Sequence, residues 1–132
     1  MKSNLIFLHV LLLGAVAACS VKPAASQQYV YPSYNYCVQQ FYDQSMYGWL
    51  AIRNNCSQAL SITFAARSGG TGVWGSMDLG AGRQSSTGRS AAEINNAGGL
   101  EIYACPKGYV AVDAQDNVIM TRAVSGFRCK QQ

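Results

Sequence analysis

The chain has 132 residues, a formal net charge of +4, five cysteines and one histidine. That length suits one domain and not two. The charges are scattered with no basic run, which argues against the clustered patch of a nucleic-acid binder.

The chain opens with a short polar start, Met1-Lys2-Ser3-Asn4, carrying one positive charge. Residues 5–16 are almost unbroken apolar sequence, and small residues follow. That order is the n-region, h-region and cleavage zone of an export signal. A spanning helix needs ~20 apolar residues, and this run is shorter. Residues 1–18 are therefore read as a signal peptide. Val16-Ala17-Ala18-Cys19 closes the apolar run. It resembles the lipobox of bacterial lipoproteins, a resemblance confined to the first 19 residues. The resemblance implies that Cys19 becomes the first mature residue and carries lipid, giving the protein a membrane partner through its N-terminus. Ser20 follows, which in Gram-negative members of that class accompanies sorting to the outer membrane. Ala15-Val16-Ala17 also fits ordinary cleavage, which would give a soluble periplasmic or secreted product. Lipidation is preferred because it accounts for the odd cysteine.

Residues 19–36 read as a lipidated N-terminus and a Tyr-rich tether, polar at first and then Tyr29-Val30-Tyr31-Pro32-Ser33-Tyr34-Asn35-Tyr36. Such segments are extended or plain linker, with Tyr31 and Tyr34 as candidate ring contacts. Residues 37–132 form the single domain. Cys37, Cys56, Cys105 and Cys129 supply two bridges in an exported chain, with three pairings open. The local pairs Cys37–Cys56 and Cys105–Cys129 are preferred, since each closes a loop of ~20 residues and contributes ~3 kcal/mol. Their spacing is too wide for an ordinary zinc site.

Along the domain, Val38, Phe41 and Tyr42 fit one helical turn. Residues 47–53 read as a strand covered on both faces. Asn54-Asn55-Cys56-Ser57 reads as a turn into the alternating strand of Leu60, Ile62 and Phe64, so the two are expected to form a hairpin with a bridged tip. Leu50-Ala51-Ile52-Arg53-Asn54-Asn55-Cys56-Ser57 and the next strand resemble the opening strand pair of thaumatin-like proteins. The resemblance covers roughly 20 residues and implies a sandwich. Residues 69–88 are glycine-rich, with short strands expected near Val73-Trp74 and Met77-Asp78-Leu79. Ser90-Ala91-Ala92-Glu93 is a capping box and Gly98 a stop signal, which predicts one short helix near residues 91–97. Strands are expected over residues 100–104, 109–112, 118–122 and 127–130, with Asp113-Ala114-Gln115-Asp116-Asn117 as a hairpin loop. The fold class is mostly β, a small disulfide-bridged sandwich or partly open barrel.

Catalytic groups are scarce. His9 lies in the signal, which removes Ser/His/Asp and Cys/His chemistry from the mature chain. The remaining carboxylates are Asp43, Asp78, Glu93, Glu101, Asp113 and Asp116. Glu93 is assigned to the helix cap, and Asp113 and Asp116 to a turn. Glu101 sits on the outward side of its strand. No acid–base pair stands out, and no enzyme, cofactor or metal is expected. Arg83 and Arg89, in a glycine-rich loop leading to the helix, are the candidate contacts for an anion or anionic glycan. Trp49 and Trp74 are assigned to the core. The expected function is a non-enzymatic binding or structural module of the bacterial cell envelope, meeting an envelope glycan or protein. The alternative is a periplasmic or secreted inhibitor or immunity-type protein that binds a protein partner.

Overall fold

The structure is a computed structural model that describes residues 29–30 and 34–132. The expected signal, Cys19 and Tyr31 lie outside the described residues. Among the described residues, nine strands and one α-helix follow in chain order: β1 Tyr29–Val30, β2 Val38–Asp43, β3 Trp49–Asn54, β4 Leu60–Ala66, β5 Trp74–Leu79, β6 Gln84–Ser86, α1 Ala91–Asn96, β7 Leu100–Pro106, β8 Tyr109–Val112 and β9 Arg128–Gln131. They build three antiparallel three-stranded sheets, in the orders β5-β4-β7, β2-β3-β6 and β1-β9-β8. The fold is mostly β, and its sheets stay open and do not close into a barrel.

The sheet β5-β4-β7 is central because β4 is covered on both sides, with every residue but Ser61 buried. Successive strand residues point to opposite faces. Leu60, Ile62 and Phe64 face one way and join Ile52, Leu79 and Ile102 in the first core. Ala65 faces the other way and joins Tyr103, Ala111 and Ile119 in the second. The sheet β2-β3-β6 covers the first core and β1-β9-β8 covers the second. Each core contains one disulfide. Cys37–Cys56 (Cα–Cα 5.3 Å) ties the start of β2 to the turn after β3, and Cys105–Cys129 (Cα–Cα 5.6 Å) joins β7 to β9. Helix α1 closes one end, with Ile94 packed beside Leu50, Ala66 and Val73. Its capping box is complete: the Ser90 hydroxyl accepts from the Glu93 N–H, and the Glu93 carboxylate accepts from the Ser90 N–H at 2.8 Å.

Several expectations are corrected. The strands β3 and β4 form no hairpin and lie in different sheets. The turn between them is organised by Asn54, which is fully buried. Its amide NH₂ donates to the carbonyls of Gln58 (2.8 Å), Leu79 (3.0 Å) and Gly80 (3.2 Å), and its Oδ1 accepts from the Cys56 N–H at 2.8 Å. Val38, Phe41 and Tyr42 belong to β2 and not to a helical turn, because β2 pairs with β3 over six residues from Val38↔Asn54 to Asp43↔Trp49. The two short strands expected near 73–79 are one strand, β5, and β6 is an additional strand within the glycine-rich stretch. Residues 118–122 form no strand, since only Val112↔Val118 bridges there.

The folded unit also starts before Cys37. Strand β1 pairs with β9 through Tyr29↔Lys130 and Val30↔Cys129. Asn35 then acts as a strand-like clip on the edge of β7: its amide donates to the Ile102 carbonyl (2.6 Å) and accepts from the Ala104 N–H (2.7 Å).

Replacing Asn54 by Asp keeps the shape and removes the donor to three carbonyls. Buried unsatisfied groups cost ~1–3 kcal/mol each. Asn54→Asp is expected to lower unfolding free energy by about 3 kcal/mol or more at neutral pH, read from urea denaturation. A loss below about 1 kcal/mol would show that the crossover does not depend on this amide.

Candidate functional site

The residues singled out from sequence do not converge. Tyr34 packs against the first core, and its N–H donates to the Ala104 carbonyl at 3.1 Å. It is a docking residue for the start of the domain. Arg89 is engaged locally, by the Gly72 carbonyl at 3.0 Å and by Glu93 at 3.4 Å. The Arg83 carbonyl accepts from the Asn54 N–H at 2.8 Å. Arg83 and Arg89 flank opposite ends of β6, so they do not form one anion pocket.

The carboxylates are each tied to neighbours. Asp78 accepts from the Ser61 hydroxyl at 2.7 Å. Glu101 pairs with Arg67 at 2.6 Å, beside a cleft of about 480 Å³ also lined by Tyr103 and Phe127. The Asp113 carboxylate accepts from the N–H groups of Gln115 and Asn117, both at 2.9 Å, and the Asn117 bond leads the effects that lower its pKa. Among the described residues, no group of three His, Cys, Asp or Glu side chains is placed to hold a metal ion.

Asp116 has a larger role than a turn former. It accepts from Lys130 and, at 2.9 Å each, from the Tyr29 hydroxyl and Arg128. The Arg128 guanidinium also lies 4.5 Å from the centre of the Tyr29 ring. This cluster fastens β1 to β9. The Lys130 ammonium, aided by the Tyr29 hydroxyl and Arg128, holds the Asp116 carboxyl down at about 2.

The arrangement most suited to a ligand lies on the outer face of β2-β3-β6. Directly opposed residues of an antiparallel pair share a face. Register therefore places Phe41, Asp43, Trp49, Arg53, Gln39 and Gln84 together on the side away from the first core. The β2–β3 connection adds Tyr47. Asp43 accepts from the Ser45 N–H (2.9 Å) and hydroxyl (2.6 Å), fixing a 3-10 turn over Gln44–Met46. The chain then reverses through two left-handed residues, Tyr47 (φ 60°) and Gly48 (φ 70°), and the Gly48 N–H donates to the Asp43 carbonyl at 2.9 Å. Glycine takes that conformation freely, whereas a side chain costs ~1–2 kcal/mol there. The Tyr47 ring is nevertheless 84% exposed. It leans on Trp49, with ring centres 5.3 Å apart and planes tilted by 46°. Trp49 is thus half-buried and belongs to no core cluster, and Trp74 is exposed.

Further along the same sheet, planar polar groups make loose contacts with one another. The Gln84 amide is 3.5 Å from the Asp43 carboxylate, and the Asn55 amide is 3.4 Å from the Gln39 carbonyl oxygen. Period alone hides this site, because Tyr47 and Trp49 fall inside one apolar run in the sequence. The signal it carried was Tyr47-Gly48, a bulky ring just before a glycine in a turn. No family model, curated protein or solved structure matches the chain.

Two predictions follow from these placements. The Asp116 carboxyl is depressed from its ordinary 3.8, so its contribution is full above that value and is lost as pH falls through about 2. Amide exchange at Val30 should therefore lose protection over that acid window before the β4 amides do. Equal loss at both would place the acid weakness elsewhere. For Tyr47→Gly, relief of ~1–2 kcal/mol of left-handed strain outweighs ~0.5–1 kcal/mol of added chain freedom. The variant should be at least as stable as wild type by thermal melting. A clear drop in Tm would mean that the exposed ring holds the turn.

Proposed function

We propose that this is an exported, lipid-anchored cell-envelope protein acting as a non-enzymatic binding module, with the Tyr47–Trp49 face as its contact surface. The observation that carries the reading is the exposed ring of Tyr47, held in a conformation that disfavours any side chain and not repaid by burial. Uncompensated local strain of this kind clusters at functional positions.

Other features agree with it. Two disulfides suit an oxidising compartment. The lipobox-like Val16-Ala17-Ala18-Cys19 supplies the anchor, and several acyl chains hold where one does not. The chain enters the fold at β1, in the layer on the second core, while the platform faces outward from the layer on the first. The central sheet separates the two, so an anchored molecule turns its platform away from the point of attachment.

A second reading, an inhibitor or immunity-type protein with a protein partner, is favoured by a different surface. Strand β5 is an edge of the central sheet, and no backbone hydrogen bond meets its outer side among the described residues. Trp74 at its start shares a surface with Val118 and Met120, and the three are exposed by 39%, 50% and 48%. An open edge next to apolar side chains accepts an added strand.

The test is the intact mass of the mature protein from its own host, before and after reduction and alkylation. The expected product starts at Cys19, carries acyl chains, and exposes four further cysteines only after reduction. A lipid-free mass starting at Ala18 or later would overturn the anchored reading. Co-purification of one protein, abolished by Met120→Asp and not by Tyr47→Gly, would establish the second.

A further inference from the structure

We propose that the Tyr47–Trp49 platform binds the sugar rings of an uncharged pyranose glycan. This rests on the reading of the chain as a binding module and names the ligand class of that surface. A pyranose ring has an apolar C–H face and a rim of hydroxyls that both donate and accept hydrogen bonds. Its recognition needs an exposed aromatic face for the first and planar polar side chains for the second. The outer face of β2-β3-β6 offers both. Tyr47 is 84% exposed beside the half-buried Trp49, with ring centres 5.3 Å apart and planes tilted by 46°. The tilt gives two ring faces that are not coplanar, suited to successive sugar units that are rotated relative to one another.

Polar groups continue along the face away from the rings, where further units of a polymer would lie. Gln39, Arg53 and Gln84 lie on the same face by register, and Asn55 reaches Gln39. Their mutual contacts, 3.4 and 3.5 Å, are at the long limit of a hydrogen bond and are readily exchanged for ligand hydroxyls. Charge selects the ligand further. The register puts one acid, Asp43, and one base, Arg53, on the face, so its own charges balance and do not select a polyanion. The surface is a sheet face and not a deep pocket, which suits a polymer lying across it.

The backbone of Tyr47 adds a separate argument. A glycine there would make the turn without strain. The ring is the one feature that tyrosine adds, and most of it points to solvent. Tyrosine offers a large, rigid contact area at low entropic cost, which is what a recognition surface requires.

The test uses the mature lipoprotein in detergent micelles, titrated with cellotetraose and with chitotetraose while Trp fluorescence and isothermal heat are followed. Saturable binding in the millimolar range or tighter is expected for at least one sugar, weakened about tenfold or more by Tyr47→Gly and by Trp49→Ala. Trp74→Phe should bind as wild type does. Because Tyr47→Gly is expected to melt no lower than wild type, its loss of binding would not reflect unfolding. Titrations that stay flat to about 10 mM with both sugars overturn the proposal, as does binding that Tyr47→Gly leaves unchanged. Cross-linking in intact host cells then separates the two claims. A protein adduct lost in Tyr47→Gly overturns the glycan and leaves the binding module standing; absence of any Tyr47-dependent adduct, together with flat titrations, overturns both.

Discussion

The side chain of Asn54 is the constraint on which the layered architecture rests. Strand β4 contributes to a core on each of its faces and is covered from two directions. The chain leaving β3 therefore cannot turn back in the plane of its own sheet. It must step across to the next layer, and the step exposes backbone groups at a fully buried position. Asn54 meets them with one amide, which serves three carbonyls and one N–H from the β3–β4 crossover and the β5–β6 turn. Its backbone is committed as well: its N–H donates to Arg83 and its carbonyl accepts from Gly82, both at 2.8 Å. A buried polar group this well satisfied specifies one arrangement of the chain, because every alternative strands several donors or acceptors. The neighbouring Cys37–Cys56 bridge then fixes β2 to the same crossover.

The two cores are held in different ways. The first gathers large aliphatic side chains around Ile52, Leu60 and Ile62, all fully buried. It needs its bridge mainly to fasten β2 at an edge. The second rests more on alanines, with Tyr103 packed edge-on against Phe127 at 5.0 Å. The Tyr103 hydroxyl donates to the Val124 carbonyl and accepts from the Val124 N–H, which anchors an irregular stretch without strands. Cys105–Cys129 crosses this smaller core and links the central sheet to the layer that receives β1. The Asp116 cluster continues that attachment. Tension applied through the N-terminus would therefore run from β1 through Asp116 and β9 to the bridge and the central sheet, bypassing the layer that carries the platform.

Much of the secondary structure was legible, and the tertiary pairing was not. Alternation in Leu60, Ile62 and Phe64 and in residues 100–104 identified β4 and β7, because a half-buried strand imposes period two directly on the sequence. The Ser90/Glu93 capping box identified α1 for a similar reason, since its hydrogen bonds are local. Local loops also favoured the bridges that the structure contains. The hairpin expected between β3 and β4 illustrates the limit. Turn composition at Asn54-Asn55-Cys56-Ser57 reports that the chain bends, not whether the next strand pairs or changes layer. That choice depends on Leu79 and Gly80, some 25 residues away. The platform was hidden for a related reason. Period alone placed Trp49 in a covered strand, and only the β2–β3 register shows that its face turns outward.

The position of the strain makes the last connection. Left-handed residues occur elsewhere in the domain, and nearly all of them are glycines at turns. Asp116, one of the two exceptions, has a short side chain locked by Tyr29, Arg128 and Lys130. Its conformation is repaid where it stands. Tyr47 has no comparable return: its ring touches Trp49 and otherwise faces water. The turn around it is rigid all the same, fixed by Asp43 through Ser45 and Gly48, so the ring is presented from a stiff support. A rigid mount under an exposed aromatic lowers the entropy lost on contact, which is how a small, flat surface gains affinity without a deep pocket. On the proposed reading, the same local stiffness that costs folding energy in the free protein prepares the platform for a partner.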